Sequence, residues 1–228
     1  MKLLALDTAT RHATVAVAHG AGCVCEAERE VTTHSEGLLA LVDEALGAAG
    51  LSVRELDAVI CGRGPGSFTG LRIGLATAKG LCLAIGRPLL CLSSLLPLGA
   101  AAAAAAGPGG LVAAVLDARR GEVFTSLYRD GLALGPERVL RPEELAAELG
   151  RLGEPVTLAG DGALLYRELL LGAPGGPARL APEACHAIHA RHLLEAARPR
   201  LAAGEADDLA AAVPLYIRGA DARLPGPA

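Results

Sequence analysis

One pattern occurs twice in this chain and constrains the fold more than any other feature. A short apolar strand ends at Asp7, followed by a polar turn and a second strand, and the same order recurs at Asp117. In each case a later apolar strand runs into a glycine loop, over residues 57–64 and again over 155–162. Both halves share the order hairpin, helix, strand, glycine loop, helix, which indicates an internal duplication. The sequence therefore predicts an α/β chain of two similar halves, each a mixed sheet with helices.

The junction between the halves is expected in the Gly-Pro-Gly-Gly segment 107–110, because such clusters mark the ends of regular elements. We therefore divide the chain into residues 1–108 and 109–228. The end of the chain reads as a helix over residues 182–198 and a tail over 205–228. We expect this C-terminal segment to pack back on the first half.

Composition and charge exclude several classes of protein. A net charge of −4 and an aromatic content of 2% argue against a primary nucleic-acid binder, which needs a basic surface and aromatic platforms for bases. Asp7 interrupts the first apolar run too early for a signal peptide. Proline and glycine interrupt the uncharged stretch 88–116 too often for a membrane span. The six cysteines are therefore expected as reduced thiols in a cytoplasmic protein.

Potential metal ligands are present, but their spacing does not favour a metal site. Cys23 and Cys25 would lie on one face of a strand, and a metal there would need two further ligands. His186, His189 and His192 follow one another at intervals of three residues, so the outer two point in different directions on a helix and the three cannot all bind one ion, although His186 and His189 could form a pair. We expect these histidines to lie on a solvated helix face and the chain to hold no metal.

The segment Gly62–Gly74, GRGPGSFTGLRIG, is the most distinctive in the chain. It has neither the lysine of a P-loop nor the spacing of a dinucleotide fingerprint. It leads into a helix with Ser67 or Thr69 as the cap, and the free N–H groups of such an end can bind an anion. The alternative is a tight strand-to-helix turn packed on a neighbour, and a capped hairpin turn is likewise the alternative to phosphate binding at Asp7 and Thr8. The candidate nucleotide contacts are Asp7, Thr8, Gly62, Arg63, Gly64, Pro65, Gly66, Ser67, Phe68 and Thr69.

Two predicted helices, over residues 35–48 and 69–85, indicate a binding surface. Arg72 and Lys79 are the only charges in the second, which is otherwise apolar nearly all round and so is expected to be buried on more than one side. In a thin domain, the second buried side would face another chain. Ser35 is the expected cap of the first helix, where His34 is followed one turn later by Leu38 rather than by a second histidine. The predicted interface residues are Leu38, Leu41, Val42, Leu46, Leu71, Arg72, Leu75, Ala76, Ala78 and Lys79.

Five segments taken together resemble the TsaB (YeaZ) family: LALDTAT…ATVAV at 4–17, HSEGLL at 34–39, the glycine segment at 62–74, LDARRGEVF at 116–124 and PLYIR at 214–218. The resemblance implies a duplicated actin-like, sugar-kinase-like fold. It also implies a non-catalytic dimerization subunit of the machinery that makes N6-threonylcarbamoyladenosine at position 37 of tRNAs reading ANN codons.

The same resemblance implies partners. They are the catalytic paralogue TsaD, bound through the first two helices, and the ATPase TsaE, with a homodimer through the same face when the chain is alone. Contact with tRNA would be indirect, no cofactor would be tightly bound, and a nucleotide such as ATP or ADP would bind at the interface of the complex.

Two other functions remain open. A free-standing sugar-kinase-like enzyme would use Asp7, Thr8 and the loop 160–162 on ATP, and ATP turnover by the purified chain would identify it. A metallopeptidase would need a histidine pair, which Leu38 argues against.

Overall fold

The computed structural model describes residues 1–30, 36–172 and 177–218. The first sheet has the order β3-β2-β1-β4-β5, in which β1 pairs antiparallel with β2 and parallel with β4. Its strands are β1 (Lys2–Asp7), β2 (His12–His19), β3 (Gly22–Glu30), β4 (Ala58–Gly62) and β5 (Leu89–Leu92). The helices of this part of the chain are α1 (Glu36–Ala48), α2 (Phe68–Ile85) and α3 (Leu96–Ala106).

The second sheet repeats this arrangement. Its order is β11-β10-β6-β7-β8, with β9 also paired to β7, and its central strand again pairs antiparallel on one side and parallel on the other. The strands are β6 (Leu111–Arg119), β7 (Glu122–Arg129), β8 (Leu132–Ala133), β9 (Arg138–Leu140), β10 (Val156–Ala159) and β11 (Ala178–Leu180). The helices are α4 (Pro142–Arg151), α5 (Asp161–Leu165), α6 (Arg167–Leu171) and α7 (Ala190–Ala202). The prediction of two similar mixed-sheet halves is confirmed.

Each sheet is covered on both faces, and one cover comes from the other half of the sequence. In the first sheet, α1 and α2 pack on one face, and α7 packs on the other against Leu3, Ala5 and Ile60. In the second sheet, α4, α5 and α6 cover the outer face, while α3 covers the inner one. A Cβ added to Gly99 would lie 2.4 Å from the ring of Tyr128, so α3 packs very closely against β7 at this point. The halves therefore share two helices that touch each other.

The C-terminal region differs from the sequence prediction. A short 3-10 turn, Glu183–Cys185, and the separate helix α7 replace the single helix expected over 182–198. The expected tail includes an ordered segment, residues 207–218, which we call the strap. It begins with an antiparallel bridge between Asp207 and Leu89 on the edge strand β5. The predicted cap Ser35 and the neighbouring His34 lie outside the described residues.

A β-bulge corrects the prediction for the two neighbouring cysteines. The register between β2 and β3 shifts so that Cys25 pairs with Val17 and Cys23 with Ala18. Because Val17 and Ala18 are consecutive and face opposite sides of the sheet, the two thiols lie on opposite faces. They therefore cannot form half of one metal site.

Within the described ranges, α2 is the one helix long and apolar enough by length and composition to cross a membrane. Core helices of other folds pass the same test, and one face of α2 packs on the first sheet.

Candidate functional site

The glycine loop is packed tightly against the end of β1. A Cβ on Gly62 would lie 1.7 Å from Asp7 Oδ2, and one on Gly66 would lie 2.4 Å from the carbonyl oxygen of Ala9. The backbone N–H of Ser67 donates to that same carbonyl oxygen at 2.7 Å. Only glycine allows the two turns to approach this closely. The loop therefore has the geometry of the packed strand-to-helix turn, one of the two alternatives left open by the sequence.

A buried hydrogen-bond network joins Asp7 to the glycine loop. The Ser94 hydroxyl donates to Asp7 Oδ2 at 2.6 Å and accepts from the N–H of Gly64 at 3.1 Å. Asp7 Oδ1 accepts from the N–H of Ala9 at 2.7 Å, and the Thr8 hydroxyl donates to the carbonyl oxygen of Gly70 at 2.8 Å. Asp7 and Thr8 are both buried, so their polar atoms already serve the fold. Sequence reasoning missed Ser94, whose partner lies 87 positions away.

The structure corrects the predicted interface residue by residue. Leu38, Leu41, Val42 and Leu46 of α1 are in the core, as are Leu71, Leu75 and Ala78 of α2, and a partner cannot reach them in the folded chain. The reason is that both helices are apolar on two sides, and these residues form the side that packs on the protein. Of the predicted set, Arg72 and Ala76 are exposed and Lys79 is partly exposed.

The outward face of the two helices includes Ala76 from the predicted set together with further exposed residues, and we call this set the outer face. Its members are apolar or small apart from Thr69, and Leu39 and Leu83 are 53% and 70% exposed. The charged residues Asp43 and Glu44 of α1 and Arg72 of α2 are also exposed on these helices. Apart from Ala76, the sequence prediction did not include the positions of the outer face in the interface, because leucines occur on both sides of each helix and periodicity could not tell the two sides apart. The outer face consists of Leu39, Ala40, Thr69, Ala76, Gly80, Leu83 and Ala84.

The strap runs along one flank of α2 and reaches the second half. Lys79 Nζ donates to the carbonyl oxygen of Ala212 at 3.1 Å. The N–H of Leu215 donates to the carbonyl oxygen of Arg63 at 2.7 Å. At the far end, Arg218 pairs with Glu122 of β7 at 2.6 Å. The strap therefore ties the glycine loop, α2 and the second sheet together.

Comparison with known proteins agrees with this architecture. Residues 26–224 match the family model described as TsaD, tRNA N6-adenosine threonylcarbamoyltransferase. The tRNA threonylcarbamoyladenosine biosynthesis protein TsaB of Escherichia coli (strain K12) is 36% identical over 164 residues, which are 69% of this chain and 71% of that protein. The solved structure of YeaZ from Pseudomonas aeruginosa matches with a TM-score of 0.79 at 34% identity, covering 94% of this chain and 99% of that one.

The chain belongs to the TsaB (YeaZ) family. A ROK hexokinase from Thermus thermophilus shares the fold at 18% identity and a TM-score of 0.51, over 87% of this chain and the whole of that one. The duplicated actin-like, sugar-kinase-like fold predicted from the resemblance is thus confirmed.

The second half of this TsaB-family chain repeats the packed glycine loop. A Cβ on Gly160 would lie 2.1 Å from the carbonyl oxygen of Val115. Asp161 Oδ1 accepts from the N–H of Asp117 at 3.0 Å, and burial raises the pKa of the Asp161 carboxyl. The loop 160–162, which a sugar-kinase-like enzyme would use on ATP, is therefore packed against β6.

The three C-terminal histidines do not share one environment, and the prediction of a solvated helix face is wrong for each of them: His186 is buried, His189 precedes α7, and the side chains of His189 and His192 are only 19% and 14% exposed. The ring of His186 is buried between the backbone of Gly160 and the carbonyl oxygen of Ala181, which lies 3.0 Å from Nε2. His189 lies beside Glu26, and His192 contacts Glu195. Within residues 1–30, 36–172 and 177–218, no group of three or more His, Cys, Asp or Glu side chains could hold a metal ion.

The buried carboxyl of Asp7 predicts a pH dependence of stability. Burial raises its pKa from 3.8 to about 6, against the opposing effect of the hydrogen bonds from Ser94 and Ala9. The native state therefore binds the proton more tightly than the unfolded state, and stability falls as the pH rises from about 4 to about 6. At about 1.4 kcal/mol for each pKa unit, Asp7 should lower the free energy of unfolding by about 3 kcal/mol over this range.

Urea unfolding of the wild type and of Asp7→Asn at several pH values measures this effect. The free energy of unfolding of the variant should gain about 3 kcal/mol relative to the wild type between pH 4 and pH 7. Parallel profiles would show that Asp7 keeps an ordinary pKa in the folded chain.

Proposed function

We propose that this chain is a non-catalytic subunit in the biosynthesis of threonylcarbamoyladenosine in tRNA, and that it pairs with a TsaD-type catalytic paralogue through the outer face of α1 and α2. Participation in that biosynthesis follows from the relatives named TsaB. The outer face carries the proposal of a binding role. Leu39 and Leu83 are both more than half exposed there, among small residues that allow a partner helix to approach closely.

The internal hydrogen bonds of the candidate catalytic residues support a non-catalytic role. The side chains of Asp7 and Thr8 form their hydrogen bonds with groups inside the protein. Leu38, where the family resemblance places the second metal-binding histidine of the catalytic paralogue, is 1% exposed in the core beneath α1. A histidine at that depth would need a buried partner. We therefore propose that the metal, and the transfer chemistry, belong to the paralogue.

The remaining partners complete the proposal. The ATPase TsaE joins the pair, a nucleotide binds at the interface of the complex, and the cytoplasm is the site of action. When no partner is present, two copies of the chain pair through the same outer face, because a self-complementary apolar patch favours a twofold dimer.

Co-expression with the TsaD paralogue of the same organism tests the proposal. A tagged copy of this chain should retain the paralogue at equal stoichiometry, and the purified chain alone should neither hydrolyse ATP nor bind zinc or iron at one ion per chain. ATP turnover by the chain alone would favour the sugar-kinase-like alternative. Failure to retain the paralogue would remove the scaffold role.

A further inference from the structure

The exposed start of α2, next to the outer face, carries a cluster of two aromatic rings and an arginine. The rings of Phe68 and Tyr216 lie 5.0 Å apart between centroids at an interplanar angle of 34°. The guanidinium carbon of Arg72 lies 3.8 Å from the Phe68 ring centroid, and its Nε donates to the Tyr216 hydroxyl at 3.0 Å. We call these three residues the aromatic–arginine cluster.

Exposure distinguishes this cluster from a core contact. Phe68 and Tyr216 are each 41% exposed, and Arg72 is exposed. The whole chain has only five aromatic residues, of which Phe124 and Tyr128 are buried. Low aromatic content argued from the sequence against a platform for bases, yet the fold brings two of the five rings together on the surface from positions 148 residues apart.

Local charge points to the chemistry of the ligand. Residues 58–116 contain four basic residues and no acidic one, a local charge of +4 in a chain whose total is −4. Two of the four, Arg63 and Arg72, are exposed at or beside the cluster. The strap adds Asp207 and Asp208, but both carboxylates accept from backbone N–H groups, those of Cys91 and of Ala210 and Ala211. These hydrogen bonds hold the two carboxylates against backbone N–H groups but leave their charge in place. The positive charge at the cluster therefore comes from Arg63 and Arg72, which can meet a phosphate group.

We infer that the aromatic–arginine cluster binds an unpaired segment of RNA, with a base stacked against Phe68 and Tyr216 and a phosphate on Arg72. Unpaired RNA bases stack on aromatic rings and on arginine planes, whereas bases within a duplex are not accessible to such stacking. Arg72 is already held by the ring and by the Tyr216 hydroxyl, so it loses little freedom when it donates to a phosphate. The choice of RNA rests on the proposed role in tRNA modification.

Fluorescence anisotropy with a labelled anticodon stem-loop RNA tests this inference. The complete chain should bind the stem-loop more tightly than a fully paired duplex that contains the same strand. Phe68→Leu, which keeps an apolar side chain without the ring, and Arg72→Gln should each weaken binding to the stem-loop roughly tenfold or more. Arg151→Gln removes an exposed arginine from α4 and should leave binding unchanged.

Circular dichroism and co-purification with the TsaD paralogue are measured on the same variants. Folded variants that lose RNA binding but retain the paralogue would support the inference. Equal binding of stem-loop and duplex, no binding by the wild type, or wild-type affinity in both folded cluster variants would overturn it. Loss of the paralogue together with RNA would also overturn it, because the cluster would then be a protein contact. If the wild-type chain binds the stem-loop but does not retain the paralogue, the proposed pairing fails while the RNA site stands.

Discussion

Ala76→Arg is expected to abolish pairing with the TsaD paralogue while leaving the chain folded. Ala76 lies on the exposed side of α2, so the arginine is solvated in the free protein. In the proposed complex its charge would be buried against an apolar surface with no partner. Burying an unpaired charge costs about 3–5 kcal/mol, which corresponds to a loss of affinity of roughly a hundredfold to a few thousandfold. The measurement is the dissociation constant of the pair by isothermal titration calorimetry.

Two further variants make this test specific. Ala104→Arg places the same substitution at an exposed alanine of α3, away from the outer face, and should pair normally. Ala78→Arg is unsuitable, because Ala78 is fully buried between α2 and the first sheet and the variant should not fold. Wild-type affinity in a well-folded Ala76→Arg chain would place the interface elsewhere.

Gly70→Ala should strongly destabilise the fold, although alanine is ordinarily the better helix former. A Cβ at position 70 would lie 2.1 Å from the carbonyl oxygen of Thr8, and backbone at the end of β1 cannot move aside without breaking the packing of the glycine loop. Overpacking of this kind costs about 3 kcal/mol, a large part of the 5–15 kcal/mol typical of a whole domain.

The same helix provides a matched control. Beyond the backbone of its own helix, Gly80 has no atom within 4 Å of the position of a Cβ, so Gly80→Ala should raise the free energy of unfolding by about 0.5–1 kcal/mol through helix propensity. Chemical denaturation of both variants compares the two effects directly. Equal changes of stability at the two positions would mean that the close approach to Thr8 has no energetic consequence.

Much of the fold could be predicted because its signals are local and occur twice. The strands before Asp7 and Asp117 and the glycine loops that follow the parallel strands are short patterns of apolar and turn residues. Their repetition at a constant order indicated two halves without any knowledge of long-range contacts. The family could be recognised for a similar reason, since the glycine segment at 62–74 is contiguous.

The site was predicted less well because its geometry depends on contacts far apart in sequence. In α1 and α2, apolar residues surround the helix, so periodicity could not distinguish Leu38, which is buried, from Leu39, which is exposed. Tyr216 reaches Arg72 across 144 positions, and Ser94 reaches Asp7 across 87. A bulge in β3 places Cys23 and Cys25 on opposite faces of the sheet instead of the same face. The sequence could not predict this, because a bulge has no clear sequence pattern.

The exchange of helices between the two halves has a consequence for how the protein is made. Among the described residues, the face of the first sheet that carries Leu3 and Ala5 packs against α7, which the ribosome synthesises after the strands of both sheets. Until residues 190–202 emerge, that face stays uncovered on the nascent polypeptide. The first half therefore cannot complete its folding during translation, as an independent N-terminal domain would. A gene cut at the junction between the halves would yield two fragments that each need the other in order to bury an apolar face.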